Sequence, residues 1–243
     1  MNKKERLDKV ISNMGFGSRK DIMKAVRDGR VMVNNKVVKN RAMKVDPYED
    51  KIQFDNQIIE YRKYIYLMMN KPSGVVSSTY DPSDRTVLSL LEVQHLIFEP
   101  FPVGRLDKDT EGLLLLTNDG KLAHSLLSPN RKVPKTYYAE IRGVVEEKHI
   151  DKFKEGVILD DGYKTMPSEL EIIESDTVSK IKLTIYEGKY HQVKRMFQSI
   201  GMKVIYLRRI SMGDLKLDYN LHPGEYRELT KEELEELIKE KGE

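Results

Sequence analysis

Cysteine is absent from this 243-residue chain, which excludes disulfides and any thiolate metal site. Long apolar runs are missing too. The longest, such as "IYLMM" and "LLLL", fall far short of the roughly 20 residues needed to cross a bilayer. The opening "MNKKERLDKV" is charged from the start, so no leader and no membrane association are expected and the protein reads as cytoplasmic. Histidine is scarce. His95, His124, His149, His191 and His222 are scattered without ligand spacing and are expected to be structural, with no metal site. Internal repeats and low-complexity stretches are also lacking.

What is present describes a globular protein, with 39% hydrophobic and 33% charged residues. The length suits a small module followed by a larger domain, here 1–60 with its linker and 61–243. The net charge of +3 conceals an asymmetry, because residues 1–46 hold 13 Lys and Arg against 5 Asp and Glu. The rest is acidic, 29 against 34. A basic excess confined to the front points to a polyanionic partner, of which nucleic acid is the commonest in the cytoplasm.

Within the front module, Leu7, Val10, Ile11 and Met14 recur at helical spacing and Gly15 supplies a stop. Ser18 can cap a second helix with apolar positions Ile22, Met23 and Val26, ended by Gly29. That helix puts Lys20, Lys24 and Arg27 on one exposed face. "RVMVNNKVV" reads as a hairpin turning at Asn34-Asn35. In this order, "RLDKVISNMGFGSRKDIMKAVRDGRVMVNNKVV" resembles the S4 RNA-binding module, which implies RNA binding and no chemistry.

The following linker, Asp46 to Lys63, is polar with a strand-like "KIQF" inside. A strand is expected at Tyr64 to Met69, closed by the Lys71-Pro72-Ser73-Gly74 turn. "GLLLLTND" reads as a buried strand, "KLAHSLLSP" as a short helix, "KTYYAEIRG" and "SKIKLTIYEG" as strands of period two, and "HQVKRMFQSIG" as a helix. Strands met in pairs with few helices predict an α+β fold whose mixed, largely antiparallel sheet is flanked by helices. Thr230 and Glu233 form a capping box for a last helix, a structural clasp through Leu234, Leu237 and Ile238.

One segment sets charges directly against a run that must be buried: "GRLDKDTEGLLLLTNDG", residues 104–120. Asp107, Asp109 and Glu111 are either metal ligands for phosphodiester chemistry or one working acid with two bystanders. The interleaved Arg105 and Lys108 oppose a bound cation and suit a carboxylate kept ionised.

The same segment resembles the signature of the RsuA-type pseudouridine synthases. "NKPSG", "PFPVGRLD", "KTYYAEI" and "EGKYHQVKRMFQSIGMKVIYLRRISMG" follow in the family's order. The resemblance implies the pseudouridine synthase fold, no cofactor, and isomerisation of a uridine in RNA. Asp107 matches the essential aspartate, acting either as nucleophile or as a base. Lys194 matches the basic residue paired with it, Tyr137 the tyrosine that stacks on the target base, and Arg105 a support for the RNA or the loop. The candidate RNA contacts are Arg6, Arg19, Lys20, Lys24 and Arg27 in the front, with Lys71, Lys135 and Arg195 behind. The expected partner is ribosomal RNA or a ribosomal subunit assembly intermediate, met by a monomer. The 16S molecule is favoured over a 23S site. A non-catalytic S4-type RNA-binding or assembly factor, and then a metal-dependent nuclease, are the alternatives.

Overall fold

A computed structural model describes residues 4–239. They form two compact units. The first holds the residues up to Ile65 together with Leu91–Glu99, and the second holds Tyr66–Leu90 with everything from Pro100 onward.

In the first unit, helices Leu7–Asn13 and Arg19–Arg27 pack on a small sheet. The second helix starts where a reciprocal cap allows it. Ser18 Oγ accepts from the Asp21 amide at 3.3 Å, and the Asp21 carboxylate accepts from the Ser18 amide at 2.9 Å. Ile22, Ala25 and Val26 form its buried face, whereas Met23 is only half-buried. Spacings of three and four from Ile22 set the inward stripe, and Met23 lies beside it. The hairpin of Val31–Val33 and Lys36–Val37 turns at Asn34 and Asn35, with φ of 51° and 61°. Two consecutive left-handed residues are what a two-residue hairpin loop requires, and asparagine tolerates them. "KIQF" supplies Ile52–Phe54, paired antiparallel with Val31–Val33. Ile97, from the returning Leu91–Glu99 segment, packs against Gly15.

The second unit is built on a mixed sheet of nine strands among the described residues. Its order runs Glu169–Glu174, Val178–Ile185, Lys135–Arg142, Lys203–Met212, Glu111–Thr117, Tyr66–Lys71, Tyr226–Glu228, with two short strands added at the sides. All its pairings are antiparallel except one. Lys203–Met212 runs parallel to Glu111–Thr117 through Arg208↔Glu111 and Arg209↔Gly112.

The Leu113–Leu116 run lies at the centre of this sheet, each side chain at most 1% exposed. Burying each contributes roughly 1.5–3 kcal/mol, which explains why the strand carries no polar alternation. The Tyr66–Lys71 strand beside it begins two residues later than the sequence pattern suggests and is buried through Lys71. Gly112 is at φ 98°, and a Cβ there would lie 2.2 Å from the Arg209 carbonyl oxygen. Only glycine allows the parallel strands to come this close.

The last helix, Lys231–Lys239, carries the reciprocal Thr230–Glu233 cap. Leu237 is buried and Leu234 partly so, but Ile238 is 42% exposed. The clasp therefore rests on two of the three expected residues.

Candidate active site

Asp107 sits in the loop feeding the Glu111–Thr117 strand, and three neighbours fix that loop's backbone. Ser77 Oγ accepts from the Leu106 amide at 3.1 Å and donates to its carbonyl at 3.0 Å. The Gly74 amide donates to the Lys108 carbonyl at 2.8 Å. Beneath both, the Lys71 ammonium donates to the carbonyls of Thr110 at 2.8 Å, Pro72 at 3.0 Å and Lys108 at 3.3 Å.

Lys71 is fully buried, so the expectation that it contacts RNA is corrected. Its amine occupies the underside of the loop and cannot meet a phosphate. Burial pushes its pKa down to about 8, against the pull of the Asp109, Glu111 and Asp107 carboxylates. Lys135 is corrected for the same reason. It is buried at the start of its strand, with the ammonium donating to the Val133 carbonyl at 2.8 Å.

Opposite the loop, helix Gln192–Gln198 projects Lys194 into the cleft. The Lys194 Nζ lies 3.0 Å from Asp107 Oδ2 and 2.6 Å from Asp109 Oδ1. Burial alone would lower this ammonium's pKa, but the hydrogen bonds and charges of Asp109 and Asp107 outweigh it and hold the pKa above the ordinary value. Burial acts to raise Asp109, and the lysine's hydrogen bond and charge override it, leaving that carboxyl below its usual range. A cation thus already stands between the two carboxylates, in the place a metal bridging them would need.

The turn before the helix is braced from within. The Gln192 side chain donates to Glu187 at 2.9 Å and accepts from the Lys189 amide at 2.9 Å. Glu187 also accepts from the Tyr163 hydroxyl at 2.6 Å.

Tyr137, on the Lys135–Arg142 strand, is 8% exposed and lines the cleft with Ile185, Leu207 and Thr110. Arg105 lies at its edge with an exposed side chain. Arg195 follows Lys194 but turns aside, its guanidinium held by Asp160 and Asp161. In the first unit, Arg19, Lys20, Lys24 and Arg27 are exposed, whereas Arg6 is spent on Asp8 at 2.7 Å. The cleft therefore brings together Arg105, Asp107, Tyr137 and Lys194. It leaves Lys71, Lys135 and Arg195 outside direct reach.

Two residues were missed by sequence reasoning. His191, expected to be structural, places Nε2 3.5 Å from Asp107 Oδ1, the carboxylate oxygen other than the one nearest Lys194. It occupies the helix N-cap with φ 48°. Its position three residues before Lys194 was the available signal, since those two residues flank one turn. Ser77 was missed as well, because nothing local ties it to a loop 29 residues away.

Residues 5–50 match the S4 domain, and residues 65–199 match the RNA pseudouridylate synthase family. The class is therefore that of an RNA-modifying enzyme with an RNA-binding unit in front, consistent with the charge asymmetry and the paired carboxylate. The chain belongs to the RNA pseudouridylate synthase family.

The Bacillus subtilis protein named "Uncharacterized RNA pseudouridine synthase YtzG" is 51% identical over 94% of this chain and 96% of its own length. Ribosomal small subunit pseudouridine synthase A of Escherichia coli is 39% identical over 96% of this chain and all of its own length. Ribosomal large subunit pseudouridine synthase B of Bacillus subtilis is also 39% identical, over 96% and 95%. A solved pseudouridylate synthase structure superposes with a TM-score of 0.67 at 38% identity, covering 96% of this chain and 99% of that one. Among the described residues, no helix is long and apolar enough to cross a membrane.

Proposed function

We propose that this chain converts a uridine of ribosomal RNA, in the small-subunit 16S molecule, to pseudouridine, with Asp107 as the catalytic carboxylate. The observation that carries the reading is the 3.0 Å pairing of Asp107 with Lys194 in a cleft lined by Tyr137. The pairing sets a cation directly beside the carboxylate, and either attack on the nucleotide or removal of a sugar proton calls for a carboxylate held in place at the base of the cleft.

The reaction breaks the C1′–N1 glycosidic bond, turns the uracil while it is held, and joins C1′ to C5. The proton lost from C5 is balanced by one gained at N1, so no oxidant or reductant enters. The target base must first leave its stack, at a cost of a few kcal/mol offset by contacts in the pocket. Tyr137 offers the ring against which the uracil stacks. Asp109 shares the Lys194 ammonium and is a spectator to the chemistry.

The proposed partner is ribosomal RNA or an assembling subunit in the cytoplasm, met by the protein as a monomer. Arg19, Lys20, Lys24 and Arg27 would attract phosphates while the cleft acts on the base.

A large-subunit target is the second reading, favoured by the large-subunit relative whose identity equals that of the small-subunit one. Pseudouridine mapping of both rRNAs from cells lacking the protein separates the two. The expected result is loss of one pseudouridine in 16S rRNA, restored by the native chain and not by Asp107→Asn. Loss in 23S rRNA alone reassigns the substrate, and no loss in either removes the ribosomal reading.

A further inference from the structure

We propose that Tyr190 is a second stacking platform at the mouth of the cleft, one that receives the unpaired base of a nucleotide adjacent to the target uridine. The inference rests on the uridine-isomerising reading of the same cleft. Tyr190 is 76% exposed, yet its ring is not loose. It stacks on the His191 imidazole with centroids 3.8 Å apart and planes inclined by only 17°. His191 in turn stands 3.5 Å from Asp107 and lines the cleft. The pair therefore forms a short column of rings starting beside the carboxylate and ending in solvent.

Three further features point to a nucleic-acid base as the occupant. The column is held in place: His191 adopts a left-handed backbone at φ 48°, and the Tyr190 carbonyl accepts from Arg195 at 3.4 Å. An ordered, exposed ring loses little freedom on binding, and every base has a face that can stack on it. Beside Tyr190 stands Lys189, exposed with its ammonium 4.6 Å from the centre of the Tyr163 ring and, among the described residues, in no ion pair, which suits a phosphate-linked ligand. Finally, extruding a uridine unstacks its neighbour, and that neighbour needs a new surface close to the reacting nucleotide. Among the described residues, the exposed Tyr80 and Tyr219 have neither a ring partner nor a place in the cleft lining, and the exposed Tyr48 meets Tyr61 edge-on and likewise lies outside that lining.

The chain contains no tryptophan, so Tyr190→Trp in the full-length protein carries a single indole that reports stacking without reference to turnover. With 16S and 23S rRNA transcripts as probes, its emission is expected to be quenched on RNA binding, whereas that of Tyr219→Trp stays close to its free value. Tyr190→Ala is expected to raise KM for pseudouridine formation by roughly fivefold to a hundredfold at nearly constant kcat, with Tyr190→Phe restoring most of it. Absence of quenching at position 190 when RNA is bound, equal quenching at 219, or an unaltered KM in Tyr190→Ala overturns the platform. Failure of the isomerase reading would show instead as no pseudouridine formed by the native chain, whatever the indole reports.

Discussion

The front unit and the cleft employ the same residue types in opposite ways. On the Arg19–Arg27 helix, Arg19, Lys20, Lys24 and Arg27 are exposed, and among the described residues none of them forms an ion pair. In and around the cleft, Lys194 and, turned aside from it, Arg195 each face two carboxylates, and Lys71 beneath the loop is enclosed by backbone carbonyls. A solvated cation attracts a distant phosphate and is weakened by salt. A cation with partners and little water fixes geometry and protonation, and is screened far less. Burial and pairing, more than residue type, separate the two sets of cations here.

The comparison breaks most sharply at Asp107. Replacement by Asn keeps the shape and removes the charge, so pseudouridine formation is expected to fall by on the order of 10³-fold or more while the melting transition and RNA affinity persist. Activity within about tenfold of the native protein, a barrier change of only about 1.4 kcal/mol, would remove the carboxylate from the reaction. Lys194→Met, which takes away the cation between Asp107 and Asp109, is expected to reduce turnover on the order of 10²-fold, and Lys194→Arg to retain a good part of it. Equal losses in the two variants would show that charge is not what Lys194 supplies.

The scaffold comes next. Gly112→Ala drives a methyl into the Arg209 carbonyl and forces a left-handed alanine, so a loss of about 2–4 kcal/mol in urea unfolding is expected. The corresponding change at Gly120, where a Cβ meets nothing within 4 Å, should cost far less.

The front unit gives a smaller, salt-dependent effect. Alanine at Lys20, Lys24 and Arg27 together should weaken RNA binding and flatten the log–log salt dependence by roughly 0.7–0.9 per lost phosphate contact. Turnover at saturating RNA should be unchanged. An unaltered slope would take this helix face out of the interface.

The mildest test is Lys71. Its folded pKa of about 8 lies below the ordinary 10.5, so between these values the unfolded chain binds more protons and the native state gains stability as pH rises. Between pH 7 and 10 the native protein is expected to gain roughly 2–3 kcal/mol relative to Lys71→Met. A flat difference would show that the ammonium is not desolvated by the fold.

Elements with a local cause were legible in the sequence. Ser18 with Asp21, the Asn34-Asn35 turn and the Thr230–Glu233 cap are each decided within four residues, and the leucine run declares its own burial. The Gly-Arg-Leu-Asp segment likewise stood out, because charges were set against that run.

What was not legible depends on residues far apart. Ser77 gripping Leu106, Lys71 turned inward under Thr110, and Gly112 pressed on Arg209 come from strand pairing that no window reveals. His191 was hidden for a related reason. A lone histidine in a helical string carries no signal until the facing loop is known. The Leu91–Glu99 segment, counted with the larger domain by linear order, joins the front unit through contacts such as Ile97 on Gly15.

The parallel pairing of Glu111–Thr117 with Lys203–Met212 also has a consequence for the order of events during synthesis. The front unit needs nothing beyond Glu99. The floor of the cleft, in contrast, waits for Arg208 and Arg209 to reach Glu111 and Gly112, and its outer edge waits for Tyr226 to pair with Met69. At roughly 5–20 residues per second, more than 100 further residues must be added before the loop bearing Asp107 has its full support. During that interval the nascent chain has its basic helix complete and the loop bearing Asp107 unsupported, so under the proposed function it would attract RNA before it could alter it.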